Sequence, residues 1–75
     1  MQPREEHLTD IVDAILRYLD SHPDAADTVE GIAQWWLPDG WCADTRSVQL
    51  ALTRMEAQGL VHRRIHTDRH VLYSR

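Results

Sequence analysis

The spacing of apolar residues along this chain changes once, at Gly59, and that change limits the possible folds more than any other feature. Before Gly59 the apolar residues recur three and four positions apart; after it they alternate. The first spacing lines one face of a helix, and the second lines one face of a strand. Helices therefore come first and a hairpin last.

Three helices fit the first part. Leu8, Ile11, Val12, Ile15, Leu16 and Leu19 span an arc of roughly 140° on a helix with 100° per residue. The run Ser21-His22-Pro23-Asp24 ends this helix, because the residue before a proline avoids helical angles. A second helix starts at Asp27 or Thr28, either of which can cap exposed backbone N–H groups, with Glu30 in its first turn. Its buried stripe is Val29, Ile32, Ala33 and Trp36, and Pro38-Asp39-Gly40 breaks it. Gly31, unfavourable inside a helix, points to a close helix–helix approach. Asp44 or Thr45 caps a third helix with Val48, Ala51, Leu52 and Met55 inward, and Gly59 suits the left-handed residue that ends it.

Leu60 to His66 and His70 to Arg75 form the two strands, joined by Thr67-Asp68-Arg69. Setting Ile65 opposite Val71 and His66 opposite His70 gathers Val61, Ile65, Val71 and Tyr73 on one face. His62, Arg64, His66, His70 and Leu72 then share the other face, and a slip of one residue would scatter both sets. The expected fold is α+β, a three-helix bundle followed by a C-terminal β-hairpin, as one domain over residues 1–75. A chain this short buries only about 60% of its unfolded surface, and the walls of a deep catalytic cleft are hard to build from it.

Charge divides the chain. The net charge is −4, which by itself disfavours nucleic acid. Residues 1–44, however, carry ten acids and two arginines, net −8, whereas residues 45–75 carry six arginines and two acids, net +4. Such a split suggests one face that meets phosphate and another that does not. Every basic residue other than histidine is arginine, the side chain that forks onto phosphate and guanine.

The face of the third helix opposite its core positions carries Arg46, Leu50, Thr53 and Ala57, flanked by Ser47, Gln49 and Arg54. Arginine and glutamine make bidentate contacts with guanine and adenine in the major groove, and Thr and Leu methyls can touch thymine. Arg54 and Thr45 are placed for phosphate. The same residues also suit an ordinary solvated helix face.

The run from Thr45 to Val61, with Leu52, Met55-Glu56 and Gly59-Leu60-Val61 at its end, followed by a basic hairpin closing on Val71-Leu72-Tyr73, resembles the second half of prokaryotic winged helix-turn-helix regulators. The resemblance covers roughly residues 8–75. It implies a recognition helix at about 45–58 in the major groove and a wing at about 61–75 on the backbone of double-stranded DNA. By that resemblance Arg46, Gln49 and Thr53 match DNA-facing positions, and Arg63, Arg64 and Arg69 match wing positions near phosphate. It implies a transcription regulator of prokaryotic or phage type; one module makes only a handful of contacts, so a homodimer or a larger assembly is expected for specific recognition. Two features depart from the pattern: a long connection from Pro38 to Asp44, and Asp68 at the wing tip.

A winged helix can instead be a protein-interaction module that does not bind DNA. Trp35 beside the core stripe, Trp41 in the following loop and the outward Leu50 would then form an apolar patch for a protein partner. Trp41 also suits a lid folded over the core.

Catalysis and metal binding find no support in the residues. No Ser or Cys sits in an evident His–acid arrangement, and no phosphate-cradling glycine loop is present. Cys42, the only cysteine, can build neither an intrachain disulfide nor a thiolate cage. His62 and His66 lie about 13 Å apart along a strand, too far to share one ion. No enzyme activity, cofactor or metal is expected. With no membrane span or signal peptide in view, the chain reads as cytoplasmic.

Overall fold

The computed structural model describes residues 5–38, 44–66 and 69–75. Helix α1 spans Glu5–Ser21, strand β1 Ala26–Asp27 and α2 Val29–Gly31, which widens into a π-helical turn over Ile32–Trp36. Helix α3 follows at Thr45–Ala57, then β2 at His62–Ile65 and β3 at Val71–Ser74. Among the described residues this is a small α+β fold, three helices and an antiparallel sheet in the order β1-β3-β2. No described helix is long and apolar enough to cross a membrane.

Helix α1 contributes Ile11, Ile15 and Leu19, each almost wholly buried, with Leu8, Val12 and Leu16 at the margins. They pack with Val48, Ala51, Leu52 and Met55 of α3 and with Ile32, Trp36 and Leu37. Val61 and Tyr73 bring the hairpin into the same core. Burial of each Ile or Leu side chain is worth about 1.5–3 kcal/mol, so these rows hold α1 and α3 together.

The helix ends follow their sequence signals. Ser21 closes α1 two residues before Pro23, and Ala25 N–H donates to the His22 carbonyl at 3.0 Å to turn the chain into β1. Helix α3 ends on Gly59 at φ +76°, where Gly59 N–H donates to Glu56 and Leu60 N–H donates to Met55 at 2.9 Å. Open space surrounds the place of a Cβ on Gly59, so backbone angle alone favours glycine there.

Three expectations are corrected. Strand β1 was not anticipated; its two residues are too few to show alternation, and they pair with the far end of the chain, Ala26 with Ser74 and Asp27 with Tyr73. The hairpin register is the expected one, with Ile65 opposite Val71, yet Ile65 is 70% exposed instead of buried. The hairpin projects beyond the core at that point, and β2 packs mainly against β3.

The third correction concerns Gly31. It marks no helix–helix approach: a Cβ there would overlap the carboxylate of Asp27. That carboxylate accepts the Thr28 N–H at 2.8 Å, while Thr28 Oγ1 caps α2 by accepting the Gly31 N–H at 3.1 Å. Gly31→Ala should therefore lower thermal stability in the native chain by displacing Asp27. In an Asp27→Ala background the same change should be neutral or raise stability by up to about 1 kcal/mol through helix propensity. Equal effects of Gly31→Ala in both backgrounds, read from paired melts, would contradict this packing account.

Candidate nucleic-acid interface

Helix α3 is anchored at its first turn. The Asp44 carboxylate caps it, accepting hydrogen bonds from the side chain of Ser47 and from the Ser47 backbone N–H at 3.0 Å. These bonds, with a small contribution from the charge of Arg46, hold the Asp44 carboxyl below its ordinary range. Ser47 is itself buried, unlike the other sequence-expected contact residues of α3, and it builds the cap.

Thr45, Arg46, Gln49, Leu50, Thr53 and Arg54 are all exposed, with Leu50 open to 46%. Gln49 is exposed but engaged. Its Nε2 donates to the Tyr73 hydroxyl at 2.9 Å and to Thr53 Oγ1 at 3.4 Å, while Thr53 Oγ1 donates to the Gln49 carbonyl at 2.9 Å. Reading adenine with both ends of a glutamine amide needs that NH2 group. Here it ties α3 to the buried ring of Tyr73 on β3, so Gln49 is first a strut between helix and sheet.

Adjacent arginines of the hairpin point to opposite faces, as the two-residue period of a strand requires. Arg63, opposite Tyr73, turns toward α3, and its Nε lies 3.8 Å from Glu56 Oε2 in an exposed ion pair. Such a pair contributes at most about 1 kcal/mol and does not hold Arg63 from other partners. Arg64 points the other way, with His62 on β2 and His66 just after it, beside His70 and Leu72 across the hairpin. His66 N–H donates to the His70 carbonyl at 2.8 Å, and Arg69 N–H to the His66 carbonyl at 2.9 Å, closing the turn. Arg69 sits in that turn at φ +70°.

Residues 69–71 of the hairpin face the first turns of α2 and α3. Between them lies an open groove of about 410 Å³, lined by Thr28, Glu30, Arg46, Gln49, Arg69 and His70 among others. Thus Thr45, Arg46, Gln49 and Arg69 converge from two elements. Arg54 and Arg63 line no part of this groove. Residue spacing had not indicated His70 at this place, because only the closed turn brings it there.

Arg75 serves another purpose, also missed in the sequence. Its Nη1 donates to the Leu19 carbonyl at 3.2 Å and its Nη2 lies 3.5 Å from Asp20, so it caps the C-terminal end of α1. Trp36 is buried and stacks on Tyr18 with ring centres 4.7 Å apart, whereas Trp35 points outward at 69% exposure. Trp41, Cys42 and Asp68 lie outside the described residues. Among the described residues no three His, Cys, Asp or Glu side chains gather where they could hold a metal ion. No protein-family model, curated protein or solved structure shows a significant match to this chain.

The Asp44 cap carries a pH dependence of defined sign. Because the folded state holds this carboxyl below its ordinary value, the cap contributes fully above the unfolded value of about 3.9 and is lost as pH falls through the folded one. Asp44→Asn keeps a capping oxygen that does not titrate. Between about pH 5 and pH 2.5 the variant should lose less melting temperature than the native chain. Parallel losses in the two proteins would assign the acid sensitivity to other groups.

Proposed function

We propose that the chain is a winged helix-turn-helix DNA-binding module of the transcription-regulator kind, with α3 in the major groove and the β2–β3 hairpin as a wing along the backbone. The observation that carries this reading is the convergence of Arg46 from α3 and Arg69 from the hairpin on one groove beside the exposed face of α3. A helix of 13 residues, about 20 Å long, fits the major groove, and its N-terminal end is where such helices meet base edges. Leu50 and Thr53 occupy the next exposed positions toward the C-terminus.

The charge distribution supports the same reading. Helix α1 packs on the buried side of α3, so its exposed Asp10, Asp13 and Asp20 lie across the core from Leu50. Arg46, Arg64 and Arg69 form no hydrogen bond or ion pair through their guanidinium groups with the described residues. One module makes few contacts, and two copies on half-sites one helical turn apart, about 34 Å, would supply specificity.

A second reading keeps the fold and replaces DNA by a protein partner. Trp35 at 69% exposure and Leu50 at 46% favour it, since large apolar side chains in water are common at interfaces. The two readings separate on one comparison. The native chain should bind duplex DNA of mixed sequence with micromolar affinity at low salt, and Arg46→Ala/Arg64→Ala should lose at least about tenfold, or about 1.4 kcal/mol, while retaining its helical circular dichroism. Unchanged affinity in the double variant would rule out this mechanism. No duplex binding by the native chain would leave the partner-binding reading in its place.

A further inference from the structure

We propose that Arg46 and Arg69 clamp a single backbone phosphate of the bound duplex, in the groove between the hairpin tip and the first turn of α3, so that Arg46 is a phosphate residue and not a base reader. The inference rests on the DNA-binding reading and assigns the chemistry of one part of that site.

Three observations lead to it. Arg46 and Arg69 come from elements far apart in the chain and line the same groove. Neither guanidinium has a hydrogen-bond or ion-pair partner among the described residues, although Glu30 lines the groove and Asp44 is close enough to feel the charge of Arg46. Two guanidinium groups lining one groove favour an anion within it, and a phosphate oxygen pair matches each fork.

The third observation is the backbone of Arg69. It adopts φ +70°, a left-handed conformation that glycine or asparagine takes at lower cost. The short hairpin turn calls for a left-handed residue at this point, and an arginine there in place of glycine is consistent with a use for its side chain. The turn that imposes this angle places residue 69 on the groove.

The clamp also accounts for Gln49. With its NH2 group on Tyr73, Gln49 is a neutral wall of the groove that fixes the distance from α3 to β3, and so from Arg46 to the strand that follows Arg69. Glu30 lines the same groove. Its exposed carboxylate should weaken binding, and Glu30→Gln should tighten it by about two- to threefold through relief of like-charge repulsion.

The test uses the full chain and a short duplex selected from a random pool for tight binding, in which phosphates are replaced one at a time by neutral methylphosphonates. Arg46→Ala and Arg69→Gly should each lose about tenfold in affinity, the scale of a charge-assisted contact. One methylphosphonate should weaken the native chain more than either substitution does, and the same methylphosphonate should weaken each variant by a smaller factor, because one contact is left to lose. Base-pair changes should leave the ratio of native to variant affinity constant. Arg69→Gly, which relieves the left-handed angle, should raise the melting temperature while lowering affinity, so a lost contact is distinguished from a damaged fold.

Sensitivity of the two variants to different phosphates, or an Arg46→Ala loss that varies with the base pair beneath it, would overturn the clamp and leave DNA binding standing. Absence of binding by the native chain to any member of the pool would overturn both.

Discussion

The hydrogen bond from Gln49 to the Tyr73 hydroxyl joins the exposed side of α3 to the middle strand of the sheet, and the geometry of the proposed interface depends on that joint. Tyr73 is buried at 3% exposure, paired with Asp27 on one side and Arg63 on the other. Its ring belongs to the core and its oxygen reaches the surface, so one residue fixes the sheet to the helix from both ends. Val61 and Val71 pack the rest of the hairpin against the helices. The short strand β1 adds a third member to the sheet, which steadies β3 where a two-stranded ribbon would be marginal.

The charge split of the sequence acquires a spatial meaning through the packing of α1 on α3. The acids of α1 and the arginines of the hairpin are not simply two halves of a chain; a hydrophobic core separates most of them. Arg75 joins the two halves at the end of α1, while Arg63 pairs with Glu56 inside the basic half. Arg46, Arg64 and Arg69 form no such pair among the described residues, so the local distribution of charge, more than the net −4, bears on the proposed phosphate contacts.

Much of this was legible in the sequence because its signals are local. The 3.6-residue stripe marked α1 and α3, Gly59 marked the end of α3, and alternation around residues 67–69 set the register of Ile65 against Val71. The inward Trp36 and outward Trp35 followed from the same stripe. What was missed depends on partners far away or on how far the core reaches. Strand β1 is two residues long and meaningful only beside β3. Alternation says which way Ile65 points but not that the core stops before it. Helix spacing puts Gln49 on the outer face, and only the position of Tyr73 shows where its amide goes. Ser47 sits between the buried and open faces, and the cap on Asp44 draws it inward.

The central claim, that α3 and the hairpin together neutralise DNA phosphates, is tested most directly by the salt dependence of duplex binding. Each neutralised phosphate contributes about −0.9 to the slope of log affinity against log salt. Arg46 and Arg69 on one phosphate, and Arg64 and Arg63 on others, lead to an expected slope of about −3 for one copy of the chain. Micromolar affinity at low salt with that slope would support the account. A slope near zero, or no binding at low salt, would contradict it.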